Sequence, residues 1–221
     1  MAMPLSSRTE AISDANPTVM IIDDDLKVLD SVGRLLRSVG LNTQLFASVP
    51  DFLKSKRPDG PTCLVLDVRL PGQSGLDFQR ELVAADNQLP IIFITGHGDI
   101  PMTVQAMKGG AIEFLPKPFR EQDLLDAIRL GLNRDRVRRE AEETLRALKQ
   151  RFEMLSSRER EIMIEIVRGR LSKQIAGDIG VSESTVKVHR SNLMRKMEVR
   201  SLAELARIAD KLKLMQEQKS S

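Results

Sequence analysis

Several side chains in the first half of the chain have the types that phosphoryl chemistry needs, and each stands just after a short apolar run. Asp23, Asp24 and Asp25 follow VMII, Asp67 follows CLVL, Thr95 follows IIFI and Lys117 follows IEFLP. Like-charged carboxylates brought together either raise a pKa or hold a divalent cation, and an all-oxygen set suits magnesium. A hydroxyl and a compact ammonium beside them would meet the oxygens of a transferring phosphoryl group. Taken singly, these residues have plainer readings. An Asp after a strand caps the next helix, which fits Asp25 ahead of Leu26, while Thr95 is an ordinary strand residue and Lys117 an ordinary loop residue. Capping explains one Asp; it does not explain a convergence.

Convergence depends on the elements. From Val19 to Ala127 short β-branched runs alternate with amphipathic stretches: VMII then 26–39, NTQLF then 49–54, CLVL then 75–85, IIFI then 101–107, IEFL then 121 onward. This alternation predicts five βα units on a parallel sheet, whose following loops all gather at the carboxyl edge. Leu26, Leu29, Val32, Leu35, Leu36 and Val39 form the stripe of the first helix, with Gly40 as its stop signal. From Leu132 to Leu155 there is neither Gly nor Pro, and Ala141, Leu145, Leu148, Phe152 and Leu155 recur at steps of three and four. The segment predicts a charged helix that either pairs with its copy or runs on as a solvated strut.

A second pattern follows. Ser156 and Glu159 have capping-box spacing ahead of a helix with Ile162, Ile166 and Val167 inward. A short helix from Ser172 carries Ile175 and Ala176, Gly180 breaks it, and Ser182 caps a third helix over 183–197 with Val186, Leu193 and Met197 inward. Helix, tight turn, helix is the DNA-binding helix-turn-helix. On the third helix Lys187, Val188, Ser191 and Arg195 share the outer face, flanked by Arg190 and Lys196, where a major groove would meet them. A solvated basic face is the plainer reading, and the preceding turn and helix favour DNA. His189 reads as a packing or phosphate-contacting residue; with His97 the only other histidine, no histidine metal site is expected.

Charge agrees with two different partners. Residues 1–119 hold 11 basic and 14 acidic side chains and residues 120–221 hold 23 and 17, beneath a net +3. The single cysteine, Cys63, sits in an apolar run and reads as a small buried hydrophobe. No stretch is long and apolar enough to cross a bilayer and the start is too polar for a signal peptide, so a cytoplasmic protein without membrane partners is expected. The domains expected are a disordered tail over 1–16, an α/β unit over 17–131, a helical linker over 132–154 and an all-α helix-turn-helix unit over 155–221.

The strings IIDDD, LVLDVRLPGQSGLDF and FITGHGDIPMTVQAMKGGAIEFLPKPF resemble the receiver domain of two-component response regulators, the FixJ type above all, over about 19–128. The resemblance implies a doubly wound, flavodoxin-like five-stranded sheet. It implies Asp67 as the acceptor of a phosphoryl group from a sensor histidine kinase. Asp23, Asp24 and Asp67, with the backbone carbonyl of Arg69, are implied as magnesium ligands. Thr95 and Lys117 are implied as phosphoryl-oxygen partners, Phe114 as an aromatic that changes rotamer on activation, and Lys117–Pro118 as a cis bond. The stretch from REREIM through KQIA to STVKVHRSNLMRKM is similar to the LuxR/NarL-type four-helix output domain over about 154–213. That likeness implies Lys187, Val188 and Ser191 as base readers and Lys173, Thr185 and Arg195 as phosphate contacts, with Ser191 where a Lys is frequent. Together they imply a non-enzymatic transcription regulator that dimerises on phosphorylation, binds double-stranded promoter DNA sequence-specifically and, in the commoner outcome for families it resembles, activates RNA polymerase there. Two rivals remain: a constitutive DNA-binding regulator with an uncoupled receiver, and a magnesium-dependent aspartyl phosphatase. The phosphatase would want a second Asp two residues after the nucleophile, where this chain has Arg69.

Overall fold

A computed structural model describes residues 16–96 and 100–214. The expected tail, save Asn16, and His97 lie outside the described residues. The chain divides into two compact units, Met1–Arg139 and Glu140–Ser221.

In the first unit β1 (Thr18–Ile22), β2 (Asn42–Phe46), β3 (Thr62–Asp67), β4 (Ile91–Thr95) and β5 (Glu113–Pro116) form one parallel sheet in the order β2-β1-β3-β4-β5. The helices between them are α1 (Leu26–Ser38), α2 (Val49–Lys54), α3 (Gly75–Ala84) and α4 (Ile100–Lys108), and α5 (Glu121–Glu153) follows β5. β1, β3 and β4 are buried along their whole length, as strands covered on both faces must be. Alternate residues supply two cores. Met20, Ile22, Leu64, Leu66 and Phe93 pack with α2, α3 and α4. Val19, Ile21, Cys63, Val65, Ile92 and Ile94 pack with α1 and α5. Asp25 caps α1, its side chain accepting the Lys27 N–H, and Gly40 ends the helix at φ +81°.

α5 is a single helix of 33 residues. The first unit keeps it beyond the expected boundary at 131, because Leu132 and Asp135 are still buried there. Cys63 is fully buried beneath it, and burial together with the Asp135 charge keeps its thiol protonated. Of the expected seam, Leu148 and Leu155 are buried, Phe152 is half-buried and Ala141 is exposed.

The second unit packs α6 (Ser157–Val167), α7 (Ser172–Ile179), α8 (Glu183–Lys196) and α9 (Leu202–Lys211) around Ile162, Met163, Ile175, Val186, Leu193, Met197 and Leu205. The Ser156–Glu159 capping box is formed in both directions, and Gly180 turns the chain between α7 and α8 at φ +68°. None of the helices among the described residues is long and apolar enough to cross a membrane.

Candidate functional site

The first site lies at the carboxyl edge of the sheet, beside the point where the strand order reverses between β1 and β3. β1 delivers Asp23, β3 ends on Asp67, β4 ends on Thr95, and Lys117 follows β5. Asp23 and Asp67 are buried and Asp24 is exposed, yet one oxygen of each lies within 4.8 Å of the others. Lys117 Nζ lies 2.6 Å from Asp23 Oδ2 and 3.3 Å from Asp67 Oδ1. Backbone N–H groups also hold the two buried carboxylates and join the ends of β4 and β5. The Arg69 N–H donates to Asp67 Oδ2 at 3.1 Å, and the Asp25 N–H donates to Asp23 Oδ1 at 2.9 Å. The Lys117 N–H donates to the carbonyl of Thr95 at 2.7 Å, and the Lys117–Pro118 bond is cis.

Burial pushes the Asp67 carboxyl above the usual carboxylate range; the Lys117 charge opposes this and the Asp23 charge reinforces it. Burial disfavours the Lys117 ammonium too, but its bond to Asp23 and the charge of Asp67 outweigh that and hold its pKa above the usual lysine value. The site therefore contains one cation shared by carboxylates that repel one another. Such a set fits a hard divalent cation, because three converging carboxylate oxygens remain undercompensated by a single ammonium.

Phe114, the aromatic expected to turn on activation, is buried, its ring 6.2 Å from that of Phe93. Gly75 meets a packing requirement that its local sequence does not announce, since a Cβ there would sit 2.3 Å from the carbonyl oxygen of Asp67. Gly75→Ala is therefore expected to displace the end of β3 and cost about 1–3 kcal/mol in urea unfolding. An unchanged midpoint would show that the close approach is not needed.

The second site is the outer face of α8. Val186 and Leu193 hold the helix to the core, leaving Lys187, Val188, Ser191 and Arg195 exposed together. Lys173 on α7 is exposed, while Arg190 and Thr185 are half-buried. Thr185 joins the helix cap: its N–H donates to Ser182 Oγ, and the two hydroxyls lie 2.8 Å apart. Lys187 Nζ lies 2.8 Å from Glu183 Oε1, and this hydrogen bond and charge hold Glu183 below its usual pKa. Lys196 differs from its expected place beside the DNA face. Its ammonium turns inward to Glu159 Oε2 at 2.6 Å, where Glu159 is 4% exposed. The reason is electrostatic: the Glu159 carboxylate closes the capping box from inside the unit and requires a cation. His189 is half-buried on the same helix.

Known proteins share both halves of this arrangement. A family model described as the response regulator receiver domain matches residues 19–129, and one described as bacterial regulatory proteins, luxR family, matches residues 153–209. Nodulation protein W of Bradyrhizobium diazoefficiens is 52% identical over 204 residues, covering 92% of this chain and 89% of that protein. Response regulator protein TodT of Pseudomonas putida is 45% identical over 210 residues, covering 95% and 92%. Among solved structures, that of the response regulator StyR shares 52% identity at a TM-score of 0.81, covering 89% of this chain and all of the other.

Proposed function

This chain belongs to the two-component response regulators that join a receiver to a luxR-family DNA-binding domain, and we propose that it is switched by phosphorylation of Asp67. The family fixes the broad role: it is a transcription regulator that binds DNA, not an enzyme. The observation that carries the finer reading is the meeting of Asp23, Asp24 and Asp67 at one sheet edge, with the Lys117 ammonium bound to Asp23 and Asp67.

In this reading the protein works in the cytoplasm, where a sensor histidine kinase presents its phosphohistidine to the edge, and an Asp67 oxygen attacks phosphorus as the histidine nitrogen leaves. Asp23, Asp24, Asp67 and the Arg69 carbonyl would hold magnesium, which when bound supplies positive charge against the equatorial oxygens. Lys117 gives up its place on Asp67 and donates to a phosphoryl oxygen, and the Thr95 hydroxyl donates to another. The rearrangement at β4 and β5 reshapes the face made with α4 and α5, through which two copies pair. Two α8 helices then address two half-sites of promoter DNA, with affinity raised by effective concentration, and the bound dimer is presented to RNA polymerase.

The domains proposed to act so are the receiver over 17–131, the linker over 132–154 and the output unit over 155–221. Lys187, Val188 and Ser191 read bases. Lys173, Thr185 and Arg195 hold phosphates, with Arg190 at the edge of the contact, while Lys196 acts through Glu159.

The test is the mass, oligomeric state and DNA affinity of the protein in magnesium, before and after beryllium fluoride, on duplexes selected from random-sequence DNA. Dimer fraction and affinity are expected to rise together; DNA binding indifferent to beryllium fluoride would instead support a constitutive regulator with an uncoupled receiver. Magnesium alone is expected to raise the melting temperature of the receiver. At about ten times its Kd it adds about 1.4 kcal/mol. Asp24→Asn should remove most of that gain, and a gain equal to wild type would exclude Asp24 from the metal set.

A further inference from the structure

We infer that Asp135 anchors the linker helix to the receiver, and that this grip lets the state of the receiver reach the linker. Asp135 lies on α5, outside the acceptor site, and is fully buried. A buried carboxylate is unfavourable unless its oxygens are filled, and here they are. Oδ2 accepts the Thr62 N–H at 2.9 Å and Arg139 Nε at 2.6 Å. Oδ1 accepts Arg138 through Nε at 3.2 Å and through Nη2, with an Arg57 guanidinium nitrogen 3.7 Å away. Arg139 reaches on to the carbonyls of Asp59 at 2.7 Å and Pro58 at 3.2 Å. One turn of α5 thereby holds the segment that leads into β3. Gly131 lets the helix come in close, since a Cβ there would stand 3.1 Å from that of Cys63.

Two observations make this more than packing. From Glu140 to Ala147 no residue of α5 is fully buried, and of its apolar side chains Ala141 is exposed while Leu145 and Ala147 are only half-buried, so little apolar packing stabilises that stretch. A helical stretch with so little apolar packing is marginal in water unless it grows from a turn already formed, because a first turn is costly to form. The turn fixed at Asp135 is that nucleus, already formed. β3 also carries the anchor at its first residue, Thr62, and the acceptor at its last, Asp67. The anchor therefore ties the linker to the strand that would be phosphorylated. This coupling rests on the reading of Asp67 as acceptor; the nucleus does not.

The experiment compares wild type with Asp135→Asn, Arg139→Gln and Arg139→Lys as full chains. Amide hydrogen exchange over 136–147 is read first, then the gain in DNA affinity on adding beryllium fluoride. Loss of one partner from the buried cluster should speed exchange over 136–147 by about tenfold. It should also reduce the beryllium fluoride gain at least about threefold, while uptake of a phosphoryl group from acetyl phosphate stays at the wild-type level. Arg139→Lys, which keeps the charge on Asp135, should recover part of both. Arg139→Gln decides the matter if Asp135→Asn fails to fold. Unchanged exchange in Arg139→Gln overturns the nucleus, and changed exchange with an undiminished gain overturns the coupling. A wild type that shows no gain at all overturns the coupling and supports the constitutive regulator with an uncoupled receiver. Failure of phosphoryl uptake in wild type rejects the acceptor reading instead, and the exchange result stands by itself in either case.

Discussion

Asp67→Asn is expected to take up no phosphoryl group from acetyl phosphate in magnesium, a loss of at least about a hundredfold in rate. The same substitution should make the metal-free receiver more stable near neutral pH. Burial is the main reason that Asp67 titrates above the ordinary range. A carboxyl whose folded pKa exceeds its unfolded one contributes stability that is complete below the unfolded pKa and is lost as pH rises through the folded pKa. The amide carries no such dependence. The melting temperatures of variant and wild type should therefore converge as pH falls toward about 4 and separate above it, with the variant higher. Mass spectrometry reads the first effect and thermal melts across pH read the second. A phosphorylated Asp67→Asn protein would reject the acceptor, and a wild type more stable at neutral pH would show that Lys117 outweighs burial.

The second large effect separates two lysines of α8. Lys196→Met should unfold the second unit more readily by about 2 kcal/mol. The Glu159 it abandons is buried, and the penalty is smaller than for a fully enclosed pair because Lys196 itself is 35% exposed. Burial would raise the Glu159 pKa, but the hydrogen bonds from Lys196 and Ser156 hold it below the usual value. The contribution of the pair is thus present above the unfolded pKa and lost as pH falls through the folded one, so the penalty of Lys196→Met should shrink in acid. Lys187→Met should instead leave stability within about 0.5 kcal/mol, since its ion pair with Glu183 is exposed. It should weaken DNA binding by about 1–3 kcal/mol, the worth of a lysine hydrogen-bonded to a base edge. The chain has no Trp and no Tyr, so unfolding is followed by far-ultraviolet circular dichroism. If Lys196→Met folds normally and loses only DNA affinity, its ammonium belongs on the DNA face after all.

What could be read in advance depended on whether position alone implied geometry. Asp23, Asp67, Thr95 and Lys117 were legible because a parallel sheet sends every strand end to the same edge, so four linear positions became one place. The inner stripe of α8 was legible for the same reason, period fixing face. Asp135 was not, because within NRDRVRRE a charged residue looks like solvated helix. One signal was available: Ile128, Leu132 and Asp135 fall at steps of four and three, which puts the carboxylate on the buried stripe. Lys196 was misleading for a related reason. Its direction is set by Glu159, 37 positions earlier, and the capping box that revealed Glu159 gave no hint that its carboxylate would also need a cation. Gly75 showed itself only when the end of β3 and the start of α3 were in place.

Cys63 has a use outside the chemistry of either site. It is the chain's only thiol, wholly enclosed and held in its unreactive protonated form. Wild-type protein is therefore a silent background for maleimide labelling while folded. A cysteine introduced at an exposed position of α8 outside the proposed base readers, such as Ser184, would be the single reactive thiol, and a fluorophore there would report occupancy of the α8 face without a native cysteine having first to be removed.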